Sequence, residues 1–221
     1  MLATTRLNRL PAQERGVTLG DFFVPVRIGE HMGTRLRHVA LVCVGAAFIA
    51  LTSNVAFRLP GTPVPITGQT LAILLVGGAL GLRRGLLSIG LYIALGFFLP
   101  VYANHEHGLS TIASIGSGGL ALGVLGGYLV GFLFAGGLVG WLAEMGWDRN
   151  VIGALGAMVI GEIVLYLIAI PWLAASLSVS PTRAIELGFV PFIIGDAIKL
   201  AIAGAIFPAT WWLMGRRVGD R

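Results

Sequence analysis

The stretch GQTLAILLVGGALGLRRGLLSIGLYIALGFFLPVYA, residues 68–103, decides the fold. Two apolar runs meet at Arg83 and Arg84 with almost no connector between them. They read either as one crossing with an immediate return, or as a re-entrant half-span followed by a full crossing. The composition of the rest of the chain identifies the medium. Of 221 residues, 56% are hydrophobic and only 11% charged, and the mean hydropathy is +0.88. A soluble domain of this length needs far more charge to cover its surface, so the chain is a membrane protein. Its 33 glycines fit helices that approach one another through small residues.

Working outward gives six apolar segments: about 37 to 57, 68 to 82, 85 to 103, 119 to 143, 150 to 174 and 189 to 214. Most approach or exceed the roughly 20 residues that a crossing needs. The spacing predicts an all-α membrane domain of six transmembrane helices over 36–215. A basic, flexible cytoplasmic leader over 1–35 precedes it and a basic cytoplasmic tail over 216–221 follows. The leader holds no apolar run long enough for a signal peptide. With six crossings and an inside N-terminus, Arg6, Arg9, Arg15, Arg27, Arg35, Arg37, Arg83, Arg84, Arg149, Arg216, Arg217 and Arg221 fall inside. Only Arg58 and Arg183 fall outside, and Lys199 lies within the membrane. This is the asymmetry of the positive-inside rule, and five crossings would put the C-terminal cluster on the wrong side. Topology therefore accounts for the formal charge of +5 without a nucleic-acid partner. Cys43 is the only cysteine, so no internal disulfide forms.

Within this apolar frame a few polar side chains stand out. Asp196 and Lys199, the only lysine, sit three residues apart in the last segment and so share a helix face. A helix starting near Phe189 places them between the outer face and the midplane. Charges at that depth cost a few kcal/mol, about 3 on insertion-based scales, so such a pair either locks helix packing or lines a ligand site; the second reading is favoured. In LPGTPVPITGQT, residues 59–70, three prolines hold an extended, ordered loop over the outer mouth and deliver Thr67 and Gln69. Tyr92, Tyr128 and Glu162 add polar groups at membrane depth, with Tyr166 four residues beyond Glu162 and positioned to bond its carboxyl group. The NHEH run, 104–107, offers metal-type side chains without a third fixed ligand and reads as a loop. A Walker-type phosphate loop needs a lysine after glycine, whereas Lys199 follows Ile198, so no ATP chemistry by that route is carried here. No metal, cofactor or catalytic set is expected. On the first helix, Ala46 and Ala50 form a small-xxx-small groove for another helix, within the chain or on a partner.

PVPITGQTLAILLVGGALGLRRGLLSIGLYIALGFFLPVYA, GGYLVGF, LYLIAIPWL and FVPFIIGDAIKLAI, in that order over about 60 to 205, resemble the BioY biotin transporters. These are substrate-binding S components of energy-coupling-factor (ECF) vitamin importers. The resemblance implies the S-component fold, residence in the cell membrane, and a biotin pocket near the outer surface with Asp196 and Lys199 contacting the vitamin. It extends less directly to Thr67, Gln69 and Tyr92. It implies that Ala46 and Ala50 dock a transmembrane coupling subunit, which in turn works with two ATPases. The family often carries Asn where Glu162 stands, which implies an altered polar contact there. Dethiobiotin, with the same ureido and carboxylate groups, is the alternative cargo.

Overall fold

The computed structural model describes residues 17–23, 33–57, 59–116 and 119–219. The expectations placed on Arg6, Arg9, Arg15, Arg27, Arg58 and Arg221 lie outside them. Among the described residues the helices are α1 (Gly20–Phe23), α2 (Thr34–Ser53), α3 (Gln69–Gly96), α4 (Gly126–Glu144), α5 (Val151–Leu177), α6 (Pro181–Gly188) and α7 (Ile193–Gly219). Among the described residues, five stretches are long and apolar enough to cross a membrane: Arg35–Ser53, Gln69–Gly96, Gly126–Glu144, Val151–Leu177 and Pro181–Leu213.

The second of these is folded back on itself. Gly81 has φ 79 and ψ 179, a backbone conformation that a glycine tolerates and a side chain resists. A straight helix would separate Gln69 from Tyr92 by about 35 Å. Instead the Gln69 amide donates to the Tyr92 hydroxyl at 2.7 Å. The two limbs, 69–80 and 82–96, therefore run antiparallel from a turn at Gly81. Glu144 Oε1 caps the turn by accepting from the Leu82 N–H at 2.9 Å. Glycine allows the close packing around it. A Cβ on Gly77 would collide with the Gly136 carbonyl of α4, and one on Gly85 would lie 3.1 Å from Gly77 Cα. Thus α4 lies across both limbs, with Ile73, Ile89, Phe132 and Leu165 in the core beneath it.

Two small β ribbons, which the helical periodicity did not announce, close one end of the bundle. Antiparallel β1 (Ala56–Phe57) and β2 (Ile66–Thr67) form the base of the proline loop. β3 (Ala113–Gly116) pairs with β4 (Gly119–Leu122). The sixth apolar segment also departs from expectation. It is not continuous from Phe189: α6 is followed by a tight turn at Val190–Phe192, and α7 begins only at Ile193. Pro191 carries no N–H and interrupts the helical ladder there. Beyond residue 216 the backbone continues as helix to Gly219.

At the other end, part of the expected flexible leader is a packed element. Leu19 is buried beside Leu74, Val139 and Phe207. Asp21 accepts from Arg84 at 2.6 Å and Arg37 at 3.2 Å, and from the Thr18 N–H at 3.0 Å. Arg149 reaches the Val17 carbonyl at 2.9 Å and stacks 3.4 Å from the Trp211 ring centre. Residues 17–23 thus strap α2, α3, α7 and the α4–α5 connection together. The small-residue groove of α2 is likewise turned inward. Ala46 is only 1% exposed, and Gly45 abuts Leu80 and Ser88 of α3. Ala50 is half-buried, and the outward face carries Val44, Ala47, Phe48 and Leu51.

Candidate ligand site

At the β-ribbon end, the proline loop, the start of α3, helices α4 and α5 and the Val190–Phe192 turn converge on one cavity. Val64, Pro65, Thr67 and Gln69 line it from the loop side, Tyr128, Phe132 and Tyr166 from the helices, and Phe192 from the turn. Its space is about 30 Å³, room for one or two waters. Three prolines restrict the loop, and burial of Val64 and Ile66 pins it, so Thr67 and Gln69 face inward. Thr67 Oγ1 accepts the Gln69 N–H at 3.2 Å. Tyr92 is fully buried behind Gln69 and orients its amide, with Tyr102 packed edge-on at 5.7 Å. Tyr92 therefore supports the site rather than lining it.

The charged pair stands beside this cavity. Lys199 Nζ lies 2.9 Å from Asp196 Oδ1, with side-chain exposures of 12% and 8%. The other carboxylate oxygen of Asp196 accepts from the Tyr166 hydroxyl. Because α7 starts at Ile193, Asp196 lies in its first turn, where unpaired N–H groups and the helix dipole favour an anion. Tyr166 thus separates the cavity from Asp196 while touching both. Tyr128 also lines the cavity, but its hydroxyl is engaged by the Gly188 carbonyl at 2.6 Å.

Glu162 departs from the sequence expectation. Tyr166 turns to Asp196 instead, and both Glu162 oxygens are buried with no hydrogen-bond partner among the described residues. Glu162 borders a separate apolar groove of about 630 Å³ between α5 and α7, which Tyr166, Phe189 and Asp196 also line. The structure brings Thr67, Gln69 and Tyr128 around one cavity and places Asp196, Lys199 and Glu162 across Tyr166 from it. Phe192 was not among the candidates, and Tyr166 stood among the polar groups at membrane depth only as a partner for Glu162. Their signal was present as helical spacing, Tyr166 one turn past Glu162 and Phe192 one turn before Asp196. Without the fold, that spacing does not show which neighbour each one meets. Among the described residues no group of three metal-type side chains gathers.

Comparison with known proteins adds the family context. The model of the BioY family matches residues 26–216. The biotin transporter BioY2 of Lactococcus lactis is 34% identical over 176 residues, covering 79% of this chain and 89% of that protein. The biotin transporter BioY of Rhizobium etli is 34% identical over 181 residues, covering 77% and 90%. A crystal structure of the S-component for biotin from an ECF-type ABC transporter superposes with a TM-score of 0.68 at 25% identity, over 80% of this chain and 93% of that one.

Proposed function

We infer that this chain, which belongs to the BioY family, is the multi-pass membrane subunit that captures biotin for import by an ECF-type ABC transporter. The observation that carries the reading is the buried Asp196–Lys199 pair, joined through Tyr166 to a cavity that also presents the Gln69 amide. Biotin carries a ureido ring with two N–H donors and one carbonyl acceptor, an apolar bicycle and tail, and a carboxylate. The Asp196 carboxylate can accept ureido N–H groups, and Gln69 can donate or accept. Lys199 either donates to a ligand oxygen or keeps Asp196 neutralised. Phe132, Phe192 and Leu129 supply the apolar wall.

A bicyclic ligand of this size needs a few hundred Å³, roughly ten times the space of this cavity. Capture therefore requires movement of a wall. Tyr166 borders both the cavity and the groove beside Glu162, so its rotation, with the proline loop, joins the two spaces.

The same reading gives six crossings with both termini cytoplasmic, the Gly81 turn inside and the cavity facing out. The arginine distribution and the reversal of α3 support it. Transport then needs a coupling subunit and two ATPases, since the chain offers no lysine-bearing phosphate loop. With Ala46 buried, the outward α2 face at Val44, Ala47 and Phe48 is left for the coupling subunit, with Ala50 at its edge. The test is uptake: cells expressing the chain with its coupling module should accumulate labelled biotin, and an Asp196→Asn version should not. Equal accumulation by both would overturn the assigned site.

A further inference from the structure

At the Gly81 end of the bundle, α2 and the 82–96 limb of α3 leave between them an outward-facing groove of about 820 Å³. Its mouth carries His38, Arg83, Arg84 and Glu144, and below them its walls are apolar down to Ala94. The charges at the mouth are unequally engaged. Arg84 is bonded to Asp21, and Glu144 caps the Leu82 N–H. Arg83 is exposed and has no hydrogen bond or ion pair among the described residues. The floor is open, because the position where a Gly90 side chain would sit has no atom within 4 Å. From Arg83 to Ala94 the limb rises about 16 Å, close to the depth of one hydrocarbon leaflet.

We propose that an anionic phospholipid docks in this groove, its phosphate held by Arg83 beside His38 and Arg84, with an acyl chain lying along Val42, Leu87 and Leu91. A cation at the mouth of an apolar trough one leaflet deep matches a lipid with its charge at the headgroup. Basic pockets between helices at a membrane boundary select such headgroups. The guanidinium of Arg83 suits a phosphate through paired N–H donors. A second copy of the chain fits poorly, because it would bring like charges to the same mouth.

Cys43, the only cysteine, lies on the groove wall and is exposed, so it reports occupancy in the full chain without an added mutation. The experiment follows maleimide labelling of Cys43 in nanodiscs of phosphatidylcholine, with or without phosphatidylglycerol. Phosphatidylglycerol should slow labelling, and inorganic phosphate in the buffer should not. Arg83→Gln should raise the phosphatidylglycerol content needed for half-protection about fivefold, the value of one cation near an anionic surface. As a second arm, native mass spectrometry should find one phosphatidylglycerol retained per wild-type chain and lost from Gly90→Leu, which fills the floor. Both variants should still bind biotin. The proposal fails if labelling ignores headgroup charge, or if Arg83→Gln is protected as well as wild type, which would mean only a general surface-charge effect. It fails equally if free phosphate protects as well as the lipid. Protection of Cys43 only on addition of the coupling subunit would also overturn it, and would make the groove a protein interface.

Discussion

Asp196 and Lys199 stabilise each other in a setting where either charge alone is costly. Removing one partner of a buried pair leaves an uncompensated charge, at about 3–5 kcal/mol, whereas replacing both with apolar groups is often neutral or favourable. Asp196→Leu should therefore lower thermal stability in detergent sharply. Asp196→Leu/Lys199→Leu should regain it while remaining unable to bind biotin. Stability lost in the double variant would make the pair a structural lock. Glu162 behaves differently, because neither oxygen has a partner among the described residues. Glu162→Gln keeps its shape and removes only the ionisable group, so the unfolding midpoint should stay level or rise; a fall of several degrees would reveal a bond to the carboxylate. The i, i+3 pairing of Asp196 with Lys199 was legible in the sequence. The turn of Tyr166 toward Asp196 rather than Glu162 was not, because both acids lie within reach of one hydroxyl and only the packing of α5 on α7 chooses between them.

Helix ends and turns carry the next scale. The reversal at Gly81 was foreshadowed by the short apolar run and the arginine pair, but the residue that turns was not identifiable from four glycines within nine positions, 77 to 85. Gly81→Ala places a side chain at positive φ and 2.5 Å from Glu144 Oε1, so it should cost at least about 1–2 kcal/mol, read as a lower melting temperature. Gly90→Ala is the matched control. It lies in open space within a helix and should be neutral or stabilising by up to about 1 kcal/mol. The strap at residues 17–23 escaped the sequence reading because its signal is one leucine and one aspartate in a basic stretch. Burial raises the Asp21 carboxyl pKa, but the Thr18 N–H and the Arg84 guanidinium outweigh it and hold the pKa below its ordinary value of 3.8. A depressed folded pKa means that the strap's contribution is present above pH 3.8 and lost as pH falls through the lower folded value. Hydrogen exchange, corrected for intrinsic rates, should show amides 17–23 protected at pH 7 and released in acid below that value. Asp21→Asn should release them already at pH 7.

For the whole molecule, composition and charge placement foretold a membrane bundle, and the family match agrees with that reading. The inward face of α2 could not be read in the same way. Small residues suit a partner's helix and the chain's own helix equally, and here that face packs against α3 of the same chain. The two ends of the bundle serve different tasks. One places Gln69 and Tyr166 at a small cavity with the Asp196–Lys199 pair behind Tyr166, and the other gathers arginines, the strap and the proposed lipid groove. On the proposed function, the first end captures the ligand, and energy for its release is supplied by partners. The most direct measurement is equilibrium binding of labelled biotin to the purified protein without any coupling subunit. It would be run beside Asp196→Asn and the double leucine variant, with thiamine and riboflavin as competitors. Saturable binding, displaced by biotin but not by the other vitamins and absent from both variants, is the expected result. A folded wild-type protein that binds no biotin, or an Asp196→Asn variant that binds it as well as wild type, would contradict the account.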